Sequence, residues 1–375
     1  MGNRIYAATR KGLFTIDKKS GNGGWAISRT AFLGDPVSAV LPDNRDGSVY
    51  AALNLGHFGV KFHRSKDNGE TWEESTTPAY PKDPEKAEAQ PPAEGNAPPA
   101  PSDNVMKQIW IMETGGNDEP GVLWAGTNPG GLFRSDDRGS TWQLNESLWN
   151  RPERAKWFGG GYDSPGIHSI CVDPRDSKHV SVGVSIGGVW ATTDGGKTWA
   201  SRAKGMRNAY MPPDQAYDEG SQDPHRVVQC QGAPEAYWAQ HHNGIFRSTD
   251  GSMSWQEITD VPPSVFGFAV AVHPCDPQTA WFVPAIKDEF RYPVDAKVVV
   301  SRTRDGGKTF DVLRAGLPQE NAYDLVYRHG MDIDSKGNRL AMGSTTGSLW
   351  VSEDQGDSWQ TISANLPPIY AVRFA

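Results

Sequence analysis

Several features are scarce in this 375-residue chain. The three cysteines (Cys171, Cys230 and Cys275) are an odd number, which argues against a disulfide framework and favours reduced thiols in a cytoplasmic protein. No apolar run approaches membrane-spanning length, and the N-terminal segment has no apolar signal core, so neither a membrane span nor a leader peptide is expected. Basic runs are missing too, and the net charge of −8 argues against a nucleic-acid partner.

A motif of the form S-x-D-x-G-x-[ST]-W, in contrast, recurs six times. We call each copy a box, and some copies have one or two substitutions. The boxes occupy residues 65–72, 135–142, 192–199, 248–255, 303–310 and 352–359. The aspartates of successive copies lie roughly 50 to 70 residues apart, which indicates one supersecondary unit repeated in space. For strand-rich repeats this predicts the blades of a β-propeller.

Each copy is predicted to be a tight turn between two strands. The aspartate can accept hydrogen bonds from the amides of the turn, and the glycine supplies a backbone angle that other residues resist. The aromatic residue then begins the outgoing strand and fills the space between neighbouring sheets. A calcium loop is the alternative interpretation, but the glutamate that closes an EF-hand loop is missing.

On these motifs the chain resembles the Asp-box (BNR-repeat) propellers of the sialidase-like superfamily, including uncharacterised bacterial glycosyl-hydrolase-like BNR proteins. The resemblance covers nearly the whole chain and implies a propeller fold. The group contains sialidases, xyloglucan-processing glycosidases, sortilin-type receptors and photosystem assembly factors, so it implies no single function. True sialidase activity is not expected, because the Arg-Ile-Pro signature is absent and Arg4-Ile5 is followed by Tyr6.

The repeats predict an all-β, seven-bladed propeller with four antiparallel strands per blade. Residues 1–375 form one domain, and the C-terminal strand at 369–374 closes the ring by pairing within the first blade. A Pro-rich insertion at 76–104 lies on the face opposite the Asp boxes. This insertion is either a lid or a tether.

Three histidines occupy one register near the starts of predicted inner strands, namely His168, His225 and His329. All three are therefore expected at the channel mouth, on the face away from the boxes. Three imidazoles with an open position would suit a divalent Zn, Fe or Mn ion. The alternative is that these histidines only line a hydrated channel or bond to crossover backbone.

Loops on the same face supply the remaining candidate site residues. The candidate substrate-binding residues are Tyr162, Arg226, His241, Arg291, Tyr292 and His57. The candidate catalytic carboxylates for a two-carboxylate glycosidase are Glu289, Asp163 and Asp324.

Two functions remain open at this level. The first is an intracellular, glycosyl-hydrolase-like enzyme that binds a small-molecule or glycan ligand at the His-rich mouth. The second is a non-catalytic module that binds a protein or glycan. The long crossover loops also suggest a homo-oligomer.

Overall fold

The computed structural model describes residues 2–19, 23–81, 105–159 and 163–375. Within these ranges the strands form seven antiparallel sheets of four strands each. The innermost strands of successive sheets contact one another in a closed cycle, which makes each sheet one blade of a ring. The predicted seven-bladed all-β propeller is confirmed.

Blades 1 to 4 contain the strands of the N-terminal half. In blade 1 these are β1 (Arg4–Thr9), β2 (Gly12–Lys18) and β3 (Trp25–Ala31). In blade 2 they are β4 (Val37–Asp43), β5 (Ser48–Asn54), β6 (Val60–Ser65) and β7 (Glu73–Ser75). Blade 3 has β8 (Gln108–Thr114), β9 (Leu123–Asn128), β10 (Leu132–Ser135) and β11 (Gln143–Leu144). Blade 4 has β12 (Ile167–Val172), β13 (Val180–Val184), β14 (Gly188–Thr192) and β15 (Ala200–Ser201).

Blades 5 to 7 and the short helices complete the described structure. Blade 5 has β16 (Pro224–Gln229), β17 (Tyr237–His241), β18 (Gly244–Ser248) and β19 (Gln256–Ile258). Blade 6 has β20 (Gly267–Val272), β21 (Ala280–Pro284), β22 (Val300–Thr303) and β23 (Asp311–Leu313). Blade 7 has β24 (Met331–Ile333), β25 (Leu340–Gly343), β26 (Leu349–Ser352) and β27 (Gln360–Ser363), followed by β28 (Ile369–Phe374). The helices are α1 (Glu146–Trp149) and four 3₁₀ turns, Gly56–Phe58, Pro152–Lys156, Glu219–Ser221 and Val294–Ala296.

The C-terminal strand closes the ring as predicted. β28 pairs antiparallel with β1 and becomes the innermost strand of blade 1. Its side chains Ile369 and Val372 join a buried cluster with Ile5 of blade 1 and Leu349 of blade 7. The two ends of the chain therefore hold each other, and no inner sheet edge is left open at this seam.

The hydrophobic core is divided among the joints between neighbouring blades. Aromatic residues of the boxes lie in these joints; Trp199, Trp255 and Trp359 are each 5% exposed. Trp142 is only half-buried, although it packs on the cluster between blades 2 and 3. The indole nitrogen of Trp255 donates to the Arg202 carbonyl at 2.7 Å, so this ring also ties two blades together by a hydrogen bond.

Each box is a turn organised by its aspartate, as the sequence predicts. In the first copy, Asp67 Oδ1 accepts from the amides of Glu70 (3.0 Å) and Thr71 (2.9 Å), and the Thr71 hydroxyl donates to Oδ2 at 2.6 Å. Gly69 has a φ of 82°, which favours glycine. At the equivalent position of the fourth copy, Ser252 has a φ of 63°.

The chain direction in the blades gives the ring two different faces. Turns between the third and fourth strands carry the boxes and lie on one face. Turns between the second and third strands, and the crossovers between blades, lie on the other face, which we call the mouth face. Of the predicted Pro-rich insertion, residues 76–81 are described and 82–104 lie outside the described residues. No helix in the described ranges is long and apolar enough to cross a lipid bilayer.

Candidate functional site

A cavity of about 920 Å³ opens at the centre of the mouth face. Its walls combine aromatic and charged side chains. The aromatic residues are Phe58, Trp110, Tyr210, Phe268, Tyr327 and Tyr370. The charged residues are Arg10, Asp35, Asp223, Asp288, Arg291 and Arg328.

Every blade contributes to this cavity through its mouth-side end. Arg10 comes from the turn between β1 and β2, and Asp288 comes from the long turn between β21 and β22. Trp110 and Phe268 lie near the starts of the inner strands β8 and β20. Ring symmetry therefore gathers side chains that are far apart in the sequence.

Asp223 and two histidines form a compact polar group in the cavity wall. Asp223 directly precedes β16, His225 is the second residue of that strand, and His242 follows β17. Asp223 Oδ2 lies 3.4 Å from His242 Nδ1 and 3.9 Å from His225 Nε2. The ligand atoms of all three residues lie within 4.8 Å of one another, and no other set of three His, Cys, Asp or Glu residues in the described ranges meets this limit.

Burial determines the charge state of this group. Burial lowers the pKa of His225 to about 3, so its imidazole is neutral near pH 7. Burial opposes ionisation of Asp223, but the hydrogen bond with His242 and the electrostatic influence of the neighbouring histidines together outweigh it and hold the pKa of this carboxyl below its ordinary value. Asp223 is therefore an anion with almost no solvent contact.

The structure does not bring the three predicted metal-binding histidines, His168, His225 and His329, together as one compact group. His329 Nε2 lies 2.7 Å from the His168 carbonyl oxygen, and His168 Nδ1 lies 2.9 Å from Ser169 Oγ. One ring nitrogen of each histidine therefore contacts a protein oxygen, and burial lowers the pKa of both. Only His225 of the predicted set belongs to the compact group.

The predicted catalytic carboxylates do not line the cavity. Asp163 is exposed, 4.0 Å from Lys107 Nζ, and Glu289 is exposed beside Lys287 Nζ at 3.4 Å. Asp324 accepts a 2.8 Å hydrogen bond from Ser344 Oγ within blade 7. The lining carboxylates are instead Asp35, Asp223 and Asp288.

The predicted substrate-binding residues are divided between several places. Arg291 lines the cavity, with its guanidinium 5.5 Å from the Phe268 ring and its Nε donating to Asp288 Oδ1 at 2.9 Å. His57 and Tyr292 lie on the mouth face, but neither is among the lining residues. Tyr162 lies outside the described residues.

His241 and Arg226 do not line the mouth cavity. The ring nitrogens of His241 lie 3.0 Å from the Asp223 amide and 3.1 Å from the Asn243 amide, so this side chain supports the backbone around the site. Arg226 lines a second cavity of about 590 Å³ on the box side of the channel and donates to the His168 carbonyl at 3.1 Å. Burial lowers the pKa of Arg226 to about 10.

Sequence reasoning missed the two most telling lining residues, Asp223 and Trp110. A signal for Asp223 was available, because it stands two residues before His225 at the start of an inner strand. Trp110 lies at an irregularity in the pairing of β8 with β9, between Ile109 and Ile111, and sequence patterns do not reveal such irregularities.

The cavity can bind a polar ligand that also has apolar faces. Its aromatic walls supply contact area, and its Asp–Arg and Asp–His pairs supply directional acceptors and donors. Carboxylates beside a neutral imidazole can also transfer protons.

Comparisons with known proteins agree with this architecture. No protein-family model matches the chain. A probable oligoxyloglucan-reducing end-specific xyloglucanase of Neosartorya fischeri is 27% identical over 278 residues, which cover 66% of this chain and 31% of the relative. The chain thus spans less than a third of the length of this curated relative.

Solved structures extend the likeness to the whole ring. The GH74 xyloglucanase from Xanthomonas campestris superposes with a TM-score of 0.61 at 19% identity, covering 100% of this chain and 52% of that chain. YCF48 bound to D1 peptide superposes with a TM-score of 0.52 at 13% identity, covering 95% of this chain and 88% of that chain. The chain is a seven-bladed β-propeller similar in sequence to xyloglucanases, which are glycoside hydrolases.

Proposed function

We propose that this protein is a glycoside-hydrolase-like propeller that binds a carbohydrate in the mouth cavity. The observation that carries the proposal is the cavity itself, in which aromatic rings and charged side chains from several blades surround one space. Its volume is typical of small-molecule sites, which are mostly apolar with a few polar groups that fix orientation. The sequence similarity to xyloglucanases supports a glycan as the ligand.

The aromatic and cationic walls give the ligand a defined orientation. The Arg328 guanidinium lies 4.9 Å from the Trp110 ring and 5.4 Å from the Phe268 ring. A sugar ring has apolar C–H faces and polar edges, so it can lie against an aromatic face while its hydroxyls bond to charged groups. Arg291 and Asp288 are placed in the same wall to provide such bonds.

Most glycoside hydrolases use two carboxyl groups that flank the glycosidic bond. Asp35 and Asp288 are the candidates in this cavity, because both line it and both retain solvent contact. Asp223 is a weaker candidate, since it is buried against two imidazoles.

Titration with xyloglucan oligosaccharides and turnover of a panel of glycosides test this proposal. Asp288→Asn should reduce turnover by at least about 100-fold while binding persists, since one carboxyl group of the pair is removed. Glu289→Gln is the matched control, because it removes the neighbouring carboxylate, which is 68% exposed and outside the cavity. Equal activity in the two variants, or no binding of any glycan by the wild type, would refute the proposal.

A non-catalytic interaction module is the second candidate, and the apolar rim of the mouth favours it. Among the residues that the structure describes, eight large apolar side chains on this face are at least 43% exposed: Leu33, Phe58, Val105, Phe158, Tyr210, Tyr217, Phe290 and Tyr323. Exposed apolar surface of this kind marks protein–protein contacts. Binding without turnover, weakened by Phe58→Ser and Tyr323→Ser, would favour this candidate; a second copy of the chain is one partner to test, by sedimentation.

The superfamily membership and the cellular location of the protein are proposals as well. The six boxes support membership of the Asp-box propellers of the sialidase-like superfamily. The three cysteines are unpaired, which supports a reducing, cytoplasmic location. Fractionation of the native host would test the location.

A further inference from the structure

We propose that Asp223, His225 and His242 bind a divalent transition-metal ion in the wall of the mouth cavity. The proposal is independent of whether the cavity ligand is a carbohydrate. It rests on the spacing of the three ligand atoms, on the orientation of the His225 ring and on the rigid surroundings.

The spacing of the ligand atoms suits a shared cation. Asp223 Oδ2 lies 3.4 Å from His242 Nδ1 and 3.9 Å from His225 Nε2, and all three ligand atoms lie within 4.8 Å of one another. Charge-assisted hydrogen bonds between such groups are shorter, at about 2.7 to 2.9 Å. Tetrahedral ligands with metal bonds of about 2.0 to 2.1 Å stand about 3.3 Å apart, so a small closure of this group would complete a site.

The orientation of His225 leaves a lone pair directed at the carboxylate. Its Nδ1 lies 2.7 Å from the Gly267 carbonyl oxygen, which only accepts, so Nδ1 carries the proton. A neutral imidazole with protonated Nδ1 has a lone pair on Nε2. Two electron-rich atoms, Nε2 and Asp223 Oδ2, therefore face the same buried space, and a cation between them would satisfy both.

Neighbouring groups hold the three side chains as supporting residues hold metal ligands. The Gly267 carbonyl orients His225, and the Ile186 amide donates to Asp223 Oδ1 at 3.3 Å. The Phe268 ring stacks on His225 with centroids 4.4 Å apart. Such outer contacts set the tautomer and orientation of metal-binding histidines.

The site opens toward the cavity on the His242 side. The His242 side chain is 20% exposed, and its ring meets the edge of Tyr210 at 5.1 Å. Three protein ligands leave at least one coordination position for water or a cavity ligand. Two imidazoles and one carboxylate suit Zn²⁺, Fe²⁺, Co²⁺ or Mn²⁺.

Metal titration of the full-length protein, purified without a histidine tag and stripped with a chelator, tests the proposal. Zn²⁺ binding is measured by competition with a chromophoric chelator, and Co²⁺ binding by the visible absorption of the bound ion. The wild type should bind one equivalent of each, and His242→Gln should weaken binding by at least about 100-fold, since it removes a direct ligand.

Two further variants make the outcome decisive. Asp223→Asn removes the carboxylate charge, and circular dichroism identifies whether this buried substitution still folds. His179→Gln is the matched control, because His179 Nε2 lies 3.6 Å from Asp176 Oδ2 in an exposed pair on the box face. It should bind metal as the wild type does.

Absence of stoichiometric binding, or binding that survives in His242→Gln, would overturn the proposal. The second result would identify an adventitious surface ion. Glycan binding measured on the stripped protein separates this failure from failure of the proposed function, because the aromatic walls, Asp288 and Arg291 are present with or without a metal ion.

Discussion

The two faces of the ring differ in how regularly their turns repeat. On the box face, turns of nearly identical sequence repeat one hydrogen-bond pattern; Thr198 donates to Asp194 and Thr309 to Asp305, each at 2.6 Å. On the mouth face, the crossovers that are described in full range from residues 32–36 to residues 202–223, and hardly any two blades present the same side chains. Repetition therefore maintains the scaffold, and the non-repeated segments build the cavity.

The largest expected effect tests whether the scaffold depends on ring closure. Deletion of residues 369–375 removes β28 and leaves blade 1 without its inner strand. The shortened protein should unfold or polymerise through the open edge. Size-exclusion chromatography and thermal melting measure this, and a monomer as heat-stable as the wild type would contradict it.

A pair of aromatic substitutions compares the two faces directly. Trp255→Ala leaves a space in a joint between blades and should cost about 3 to 5 kcal/mol of unfolding free energy. Phe58→Ala, at a mouth residue that is 71% exposed, should change it by less than about 0.5 kcal/mol. Urea titration measures both, and similar losses would remove the distinction. Trp142→Ala should cost less than Trp255→Ala, because Trp142 is only half-buried.

The two faces should also contribute to the pH dependence of stability in different pH ranges. Near the mouth, burial lowers the pKa of His168 and His329 below 6.5, so the unfolded chain binds protons that the folded chain does not. Stability should therefore fall as the pH drops below about 6.5. On the box face, a hydrogen bond from Thr309 lowers the pKa of Asp305 to about 2 from 3.8, and its contribution should be lost as the pH falls from about 4 toward 2.

Urea midpoints across this pH range measure both windows. His329→Gln should reduce the slope between pH 7 and 5, to which His168 and His225 also contribute, and Asp305→Asn should reduce it only below pH 4. If Asp305→Asn also removed the slope near pH 6, the assignment of the windows to different faces would fail.

The smallest expected effect concerns the single box that departs from the glycine rule. Ser252 has a φ of 63°, and its hydroxyl is buried without a hydrogen-bond partner among the described residues. Ser252→Gly should stabilise the protein by about 1 kcal/mol, because it removes backbone strain and a buried unsatisfied group. The opposite change in another box, Gly139→Ala, should destabilise, since its Cβ would lie 2.3 Å from Phe62 Cε1. Thermal melts of the two variants should shift in opposite directions.

The site was less predictable than the scaffold, for reasons visible in particular residues. Asp288 and Glu289 are neighbours in one turn, and only Asp288 lines the cavity. His241 and His242 are also neighbours, yet one supports backbone and the other faces Asp223. Sequence reasoning located these turns on the mouth face, but it could not choose between adjacent side chains.

The amino-acid sequence alone determined the number of blades, the strand order, the closure by the C-terminal strand and the face that carries the boxes. These features follow from short-range sequence patterns that are present separately in each repeat. Only the tertiary structure decided which polar side chains meet at the mouth, because that depends on pairing irregularities at the starts of six of the seven inner strands. Asp223 and Trp110 lie more than a hundred residues apart, and they share a cavity only because the ring is closed.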